Sequence, residues 1–405
     1  MIRYIIYIVY IALGCATLLT QQSLAASPGR YIAELGDCVA CHTQSAEQPL
    51  AGGKPFPTPL GTIYSTNITP DKEHGIGSYT AEEFIKALRQ GVAKDGHHLY
   101  PAMPYTAYAK MSDADLRSLF DYLQTDVKPL PVANKASDIP WPLSVRWPLA
   151  IWNAMFHDDE RFQSVAGKSD EWNRGAYLVQ GASHCGSCHT PRGFSMQEKA
   201  LTESDEHYLS GSELDGWYAP NIRGEKYDEQ ALIALLKTGR SQHLSVAGTM
   251  AEMVTHSGQY FTDGDLKSIA IYLRSLPPVQ EEHTTQTVAK ISDEGKASYA
   301  MYCSTCHGAD GKGSDYIIPA LTNNPAVLES NPASLLNVIL SGAATPATKG
   351  HIPYSMPGYS QIMNDQQIAG LLNTVRASWG NKASEIKAGD VKKQRAVQHE
   401  KKITP

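Results

Sequence analysis

The chain has 405 residues, a formal net charge of −6, 42% hydrophobic residues and 19% charged ones. That length implies two to four domains, the ordinary composition excludes a chain dominated by disorder, and the negative balance argues against nucleic acid as a partner. Six of the seven cysteines fall in three short units, and only Cys15 stands apart.

Residues 1–26 begin with Arg3, continue as an apolar run from Tyr4 to Leu19 and close on Ser23-Leu24-Ala25-Ala26. A basic start, an apolar stretch and small residues at its end read as an export signal, with cleavage after Ala25 or Ala26. The alternative, an uncleaved anchor, has a run shorter than the roughly 20 residues a bilayer requires. Cys15 reads as a small apolar residue of the discarded signal, with lipid modification as the alternative. No other segment is long and apolar enough to span a membrane.

Residues 27–135 form a first unit. It has a short amphipathic stretch (Arg30-Tyr31-Ile32-Ala33), then Cys38-Val39-Ala40-Cys41-His42, and it ends in "RSLFDYLQ" after Ser112-Asp113-Ala114-Asp115. Residues 136–170 break the pattern with "SDIPWPLSVRWPLAIWNAMF", a connector carrying Trp141, Trp147 and Trp152. The second unit, 171–278, repeats the first with Cys185-Gly186-Ser187-Cys188-His189 and a closing "KSIAIYLRSL" after Thr262. A polar linker, 279–290, leads to the third unit, 291–380, with Cys303-Ser304-Thr305-Cys306-His307 and a closing helix after Asn364.

Each closing stretch has a Ser, Thr or Asn cap with an acid or amide three residues on, followed by apolar residues at helical spacing. Between the helices the units are rich in Gly and Pro and show no alternating strand pattern. The predicted class is therefore all-α, three tandem domains with long loops. Such units have too little core of their own unless a large apolar group fills them. The tail, 381–405, reads as disordered. It holds seven basic and three acidic residues, so it is expected to touch a membrane surface electrostatically.

Paired thiols suit zinc, a redox disulfide or haem. Zinc needs four ligands within one domain, whereas His42 and His189 lie 147 positions apart and His189 and His307 118 apart. A thioredoxin-like disulfide needs a βαβ setting and leaves the three histidines unexplained. Covalent haem accounts for every position. Two thiols three residues apart share one face of a helical turn, and the next histidine becomes the proximal ligand of the iron. Three covalently bound haem c groups are expected, on Cys38 and Cys41, Cys185 and Cys188, and Cys303 and Cys306, with His42, His189 and His307 as axial ligands.

The opposite ligand is read as methionine. Met103 lies between two prolines 61 residues after His42, and Met356 precedes Pro357, 49 residues after His307; flanking proline stiffens the loop that presents the sulfur. The second unit offers Met250, 61 residues after His189, and Met253, nine residues before Thr262. His97 and His98 are alternatives in the first unit. Arg192 and Arg146 are candidates for pairing with a haem propionate, with a surface arginine and cation–π packing as their plainer readings.

With these three units, "YPAMPY", "IPWPLSVRWPL" and "GTMAEMV", the chain resembles the tri-haem cytochrome c subunits of bacterial membrane-bound dehydrogenases, those for alcohols, gluconate, sorbitol, fructose or aldehydes. The likeness extends to about Gly380 and favours Met250 over Met253. It implies no catalytic oxidation site in this chain. A large flavin, quinoprotein or molybdenum subunit is the implied partner, ubiquinone the implied acceptor, and the periplasmic face of the cytoplasmic membrane the implied location. A free-standing electron carrier, or one serving a terminal oxidase, is the alternative, and a haem peroxidase a third.

Overall fold

Three times along the chain a short opening helix crosses a longer closing helix on a glycine. The computed structural model describes residues 27–214, 216–279 and 287–403; the proposed export signal with Cys15, and most of the polar linker, lie outside them. The opening helices are Pro28–Leu35, Asp170–Tyr177 and Asp293–Tyr302, and the closing helices Asp113–Thr125, Asp263–Ser275 and Asp365–Ala377. The side chains of Ser112, Thr262 and Asn364 each accept a hydrogen bond from the backbone N–H three residues on, which satisfies one orphan donor of each first turn.

The crossings leave no space for a side chain. A Cβ on Gly29 would lie 1.8 Å from the carbonyl oxygen of Ser118, and one on Gly175 2.0 Å from that of Ser268. On Gly295 it would lie 2.0 Å from Thr374 Oγ1 and 2.6 Å from the Gly370 carbonyl. Glycine alone lets the two backbones approach so closely. In the second segment a π-helical turn, Leu178–Ala182, follows the opening helix and adds one residue between crossing and attachment turn relative to the first.

The first two segments share one apolar core, in which Leu116, Leu119 and Leu123 meet Trp172, Leu266, Ile269 and Tyr272. Their contact is reciprocal. Tyr31 on the first opening helix donates to Asp265 Oδ2 at 2.7 Å and accepts from the Thr262 N–H at 3.1 Å, both at the cap of the second closing helix. Tyr177 on the second opening helix does the same to the first cap, donating to Asp115 and accepting from the Ser112 N–H. The third segment has a separate core around Leu336, Ile368, Leu371 and Val375. It touches the second through loops, with the Tyr316 N–H on the Gln242 carbonyl and the Ala320 N–H on that of His243, and through helices, with Ser334 donating to the Tyr218 carbonyl and Asn337 and Gln394 to that of Gly216.

Two expectations need correcting. Strands are present, as three short antiparallel ladders pairing 55–58 with 61–64, 212–214 with 217–219, and 343–344 with 355–356. Runs of two to four residues are too short to display the alternation that marks a strand. The tail is also ordered. Residues 388–403 form a helix with Val391 wholly buried, and Arg395 donates to Asp365 Oδ1 and to the carbonyls of Ser360 and Met363. Its basic residues disguised a docked helix that buries Val391 and Gln394.

Candidate haem sites

Each Cys-x-x-Cys-His unit forms one helical turn: Cys38–His42, Gly186–His189 following Cys185, and Ser304–His307 following Cys303. None of the six thiols is in a disulfide. Burial pushes Cys38 and Cys185 up to about 12 and Cys41 and Cys303 to about 11. Redox-active thiols are held low instead, so these four thiols lack the mark of a redox-active pair.

The three histidines are held alike. His42 Nδ1 lies 2.6 Å from the Thr66 carbonyl, His189 Nδ1 2.8 Å from that of Pro220, and His307 Nδ1 3.1 Å from that of Pro319. This bond fixes ring and tautomer, and among the described residues Nε2 is left without a partner. Burial holds all three rings below the ordinary histidine value against the raising effect of that bond, keeping the neutral, ligating form. The residues therefore fit a haem on each turn.

The ladders explain how those carbonyls arrive. Thr66 comes two residues after the strand Gly61–Tyr64, Pro220 directly after Trp217–Ala219, and Pro319 follows the Ser314–Ile318 bridge. A glycine closes each turn from the other side, the N–H groups of Gly52, Gly211 and Gly313 donating to the carbonyls of His42, His189 and His307 at 2.7, 2.8 and 2.9 Å. All three have positive φ, a conformation glycine adopts freely. They follow their histidines by 10, 22 and 6 residues, and this irregular spacing concealed them in the sequence.

The methionines differ in setting. Met103, in a turn after Tyr100, borders the same core as Cys38 and Cys185. Met356 pairs with Ala343 in the last ladder and borders the core of Cys303. Met250 and Met253 both lie on the helix Thr249–His256, half-buried. A Cβ on Gly258 would meet the Met253 sulfur at 3.5 Å, so Met253 packs inward against the helix Glu229–Thr238 and its neighbours. His97 is exposed and bound to Asp95 Oδ1.

The two arginines are braces. Arg192 donates to the carbonyls of Ser187 and Met196, and Arg146 stacks over the Tyr100 ring at 3.5 Å. Buried arginines unmarked by any motif tie loop carbonyls together, Arg89 on Met111, Arg223 on Tyr208 and Pro277, and Arg376 on Val327 and Glu329.

The first two attachment turns face one another. His184, directly before Cys185, places Nε2 3.4 Å from the Gly36 carbonyl and its ring edge-on to Tyr108 at 5.7 Å. Tyr108 donates to the same carbonyl at 2.8 Å.

The family model for cytochrome c matches residues 292–379. Over 416 residues the chain is 44% identical to the gluconate 2-dehydrogenase cytochrome c subunit of Pantoea cypripedii, covering 96% of this chain and 94% of the relative. It is 44% identical to the cytochrome c subunit of alcohol dehydrogenase (quinone) from Gluconobacter oxydans (strain 621H), over 91% of this chain and 82% of that one. The fructose dehydrogenase cytochrome subunit of Gluconobacter japonicus is 39% identical over the same shares, 91% and 82%.

Proposed function

The chain belongs to the cytochrome c subunits of dehydrogenases and acts in electron transfer, and from that premise we propose a three-haem conduit. It runs from a large catalytic dehydrogenase subunit to ubiquinone. Covalently bound haem c supplies a one-electron couple. The chain's own residues would hold it: Cys38 and Cys41, Cys185 and Cys188, and Cys303 and Cys306 would anchor it, and His42, His189 and His307 would offer Nε2 to the iron. Met103, Met250 and Met356 would offer a soft sulfur, which favours the reduced state. The partner is of flavin, quinoprotein or molybdenum type. The proposed units are 27–135, 171–278 and 291–380, reaching the periplasmic face of the membrane after residues 1–26 direct export.

The observation that carries this reading is the threefold recurrence of one arrangement: a Cys-x-x-Cys-His helical turn, a histidine with Nδ1 on a backbone carbonyl, and a glycine N–H on the histidine carbonyl. A haem count on the purified chain tests it. Three haems per chain are expected, and two after Cys185→Ala with Cys188→Ala; a count unchanged by that replacement overturns the assignment. Reduction of a quinone by the complex with its dehydrogenase partner tests the rest.

A further inference from the structure

A helix apolar on every side is ordinarily buried, yet the connector helix Pro148–Phe156 has no buried residue. Ile151 and Met155 on it, and Trp141, Leu143 and Trp147 leading into it, are exposed. Trp152 donates to the Ser195 carbonyl at 2.9 Å, joining a second turn to the same face. At the tip of that turn Phe194 is 105% exposed. An apolar patch of this kind marks a surface that something covers.

Charge identifies the cover. Between residues 139 and 157 Arg146 is the single formally charged side chain. Its guanidinium is turned onto Tyr100 and donates to the His98 carbonyl, and Arg192 of the Phe194 turn is bent onto the Ser187 and Met196 carbonyls with Glu198 at 3.8 Å, so the exposed side chains of the platform carry no charge on a chain of net −6. Asp158, Asp159 and Glu160 follow directly, and such a flank repels anionic headgroups while leaving zwitterionic ones indifferent. Tryptophan favours the headgroup layer. Among the described residues no helix is long and apolar enough to cross a membrane.

We infer that the connector and the Phe194 turn form a platform that seats this chain on a zwitterionic lipid surface, in the plane of the headgroups. The inference rests on the proposed function, in which the electron acceptor is dissolved in lipid. Arg146 on Tyr100, Asn153 with Tyr105, and His157 on the Arg89 carbonyl fix the platform to the first segment, and Trp152 fixes it to the second. Those two segments therefore lie nearest the bilayer.

The test uses the full haem-loaded chain and phosphatidylcholine vesicles at low and high salt. The chain is expected to sediment with them at both, and brominated lipid to quench its tryptophan fluorescence. Replacing three exposed side chains together, Trp147→Ser, Ile151→Ser and Phe194→Ser, is expected to weaken partition on the order of a hundredfold, with haem content and unfolding midpoint retained. Equal partition of the variant overturns the inference, as does binding restricted to anionic vesicles at low salt. Loss of the dehydrogenase partner, or of a dimer, with vesicle binding intact reassigns the face to protein and also overturns it. If the triple variant loses haem, quenching in the unaltered chain decides, and its absence is decisive against lipid contact. Reduction of a short-chain water-soluble quinone by the complex is measured separately. Its failure removes the proposed acceptor and leaves the vesicle result standing.

Discussion

The first two segments complete one another, while the third is completed by the chain's own tail. Tyr31 and Tyr177 each stand two residues after a crossing glycine and each reaches the other segment's helix cap. In the third segment the position two after Gly295 is Ala297, which has no hydroxyl to offer. The cap acids Asp115 and Asp265 are likewise replaced by Gln367, whose side chain turns back onto its own cap. The anchoring loops diverge in the same way. Buried Asn67 and Asn221 follow the carbonyls that hold His42 and His189 and bind loop carbonyls, whereas Ala320 follows Pro319. A clasped pair and a single unit built on one plan show which parts of the plan serve the haem and which serve pairing. Glycine crossing, attachment turn and histidine anchor occur three times; tyrosine, cap acid and asparagine occur twice.

Removing the tail helix should separate the two regions most sharply. Val391 is wholly buried, Gln394 donates to Asn337, and Arg395 to Asp365. Deleting residues 388–405 is expected to cost the third segment about 3 kcal/mol, read as an earlier unfolding transition while the paired segments keep theirs. A single unshifted transition would show the tail to be dispensable.

A methyl group at the crossings comes next. Gly175→Ala drives a Cβ onto a backbone carbonyl that cannot move away, and overpacking of this kind costs about 3 kcal/mol. Gly295→Ala first meets the Thr374 hydroxyl, the end of a short side chain that can rotate, though the Gly370 carbonyl still crowds it. A smaller loss of about 1 kcal/mol is expected there. Equal thermal shifts for the two variants would mean that the crossings are interchangeable.

Cys-x-x-Cys-His made the attachment turns legible, and the capped closing helices were legible from Ser112, Thr262 and Asn364. These are local signals: the thiol spacing is one helical turn, and a cap touches an N–H three residues on. The glycines on the histidine carbonyls were hidden because their partners sit at 6, 10 and 22 residues, distances set by loop length. The clasp was hidden for a stronger reason. Tyr31 and Asp265 are 234 positions apart, and each reads by itself as an ordinary helix residue. The tail was misread because its composition is polar, while its docking depends on Val391 and on hydrogen bonds from Gln394 and Arg395.

The clasp itself can be opened one hydroxyl at a time. Tyr31→Phe and Tyr177→Phe each leave a carboxylate short of a donor, at an expected cost of about 1.5 kcal/mol. Arg174 links the two sites, bonded to Asp265 and lying over the Tyr177 ring at 5.5 Å, so the double variant should depart from additivity, with the third segment's transition unmoved. Acid offers the same test without mutation. Burial raises Asp265, but the Arg174 guanidinium and the Tyr31 hydroxyl together hold it below the ordinary carboxylate value. A depressed carboxylate stabilises the fold above its unfolded value and loses that contribution as pH falls through the folded one. The paired segments should therefore loosen below about pH 4, and this dependence should become shallower in Asp265→Asn, the remainder belonging to carboxylates such as Asp113 and Asp158 that are also held low. A profile unaltered by that replacement would remove Asp265 from the clasp's titration.

The smallest effect concerns the second segment's sulfur. Met103 is offered by a turn and Met356 by a short ladder, but Met250 and Met253 share one helix, three residues apart and so on one face. One iron takes one sulfur, which leaves the other for packing. Met253 already has a packing role, with its sulfur against Gly258. Leucine nearly conserves its volume, so Met253→Leu should cost less than about 1.5 kcal/mol and leave all haem spectra alone. Met250→Leu should be equally mild on stability, yet turn one haem high-spin or shift its potential, because leucine has no sulfur to offer an iron. Two properties are thereby separated at adjacent turns of one helix, stability at one position and ligation at the other. A spectral change on Met253→Leu, with Met250→Leu silent, would transfer the ligand to Met253 and leave Met250 as the packing residue.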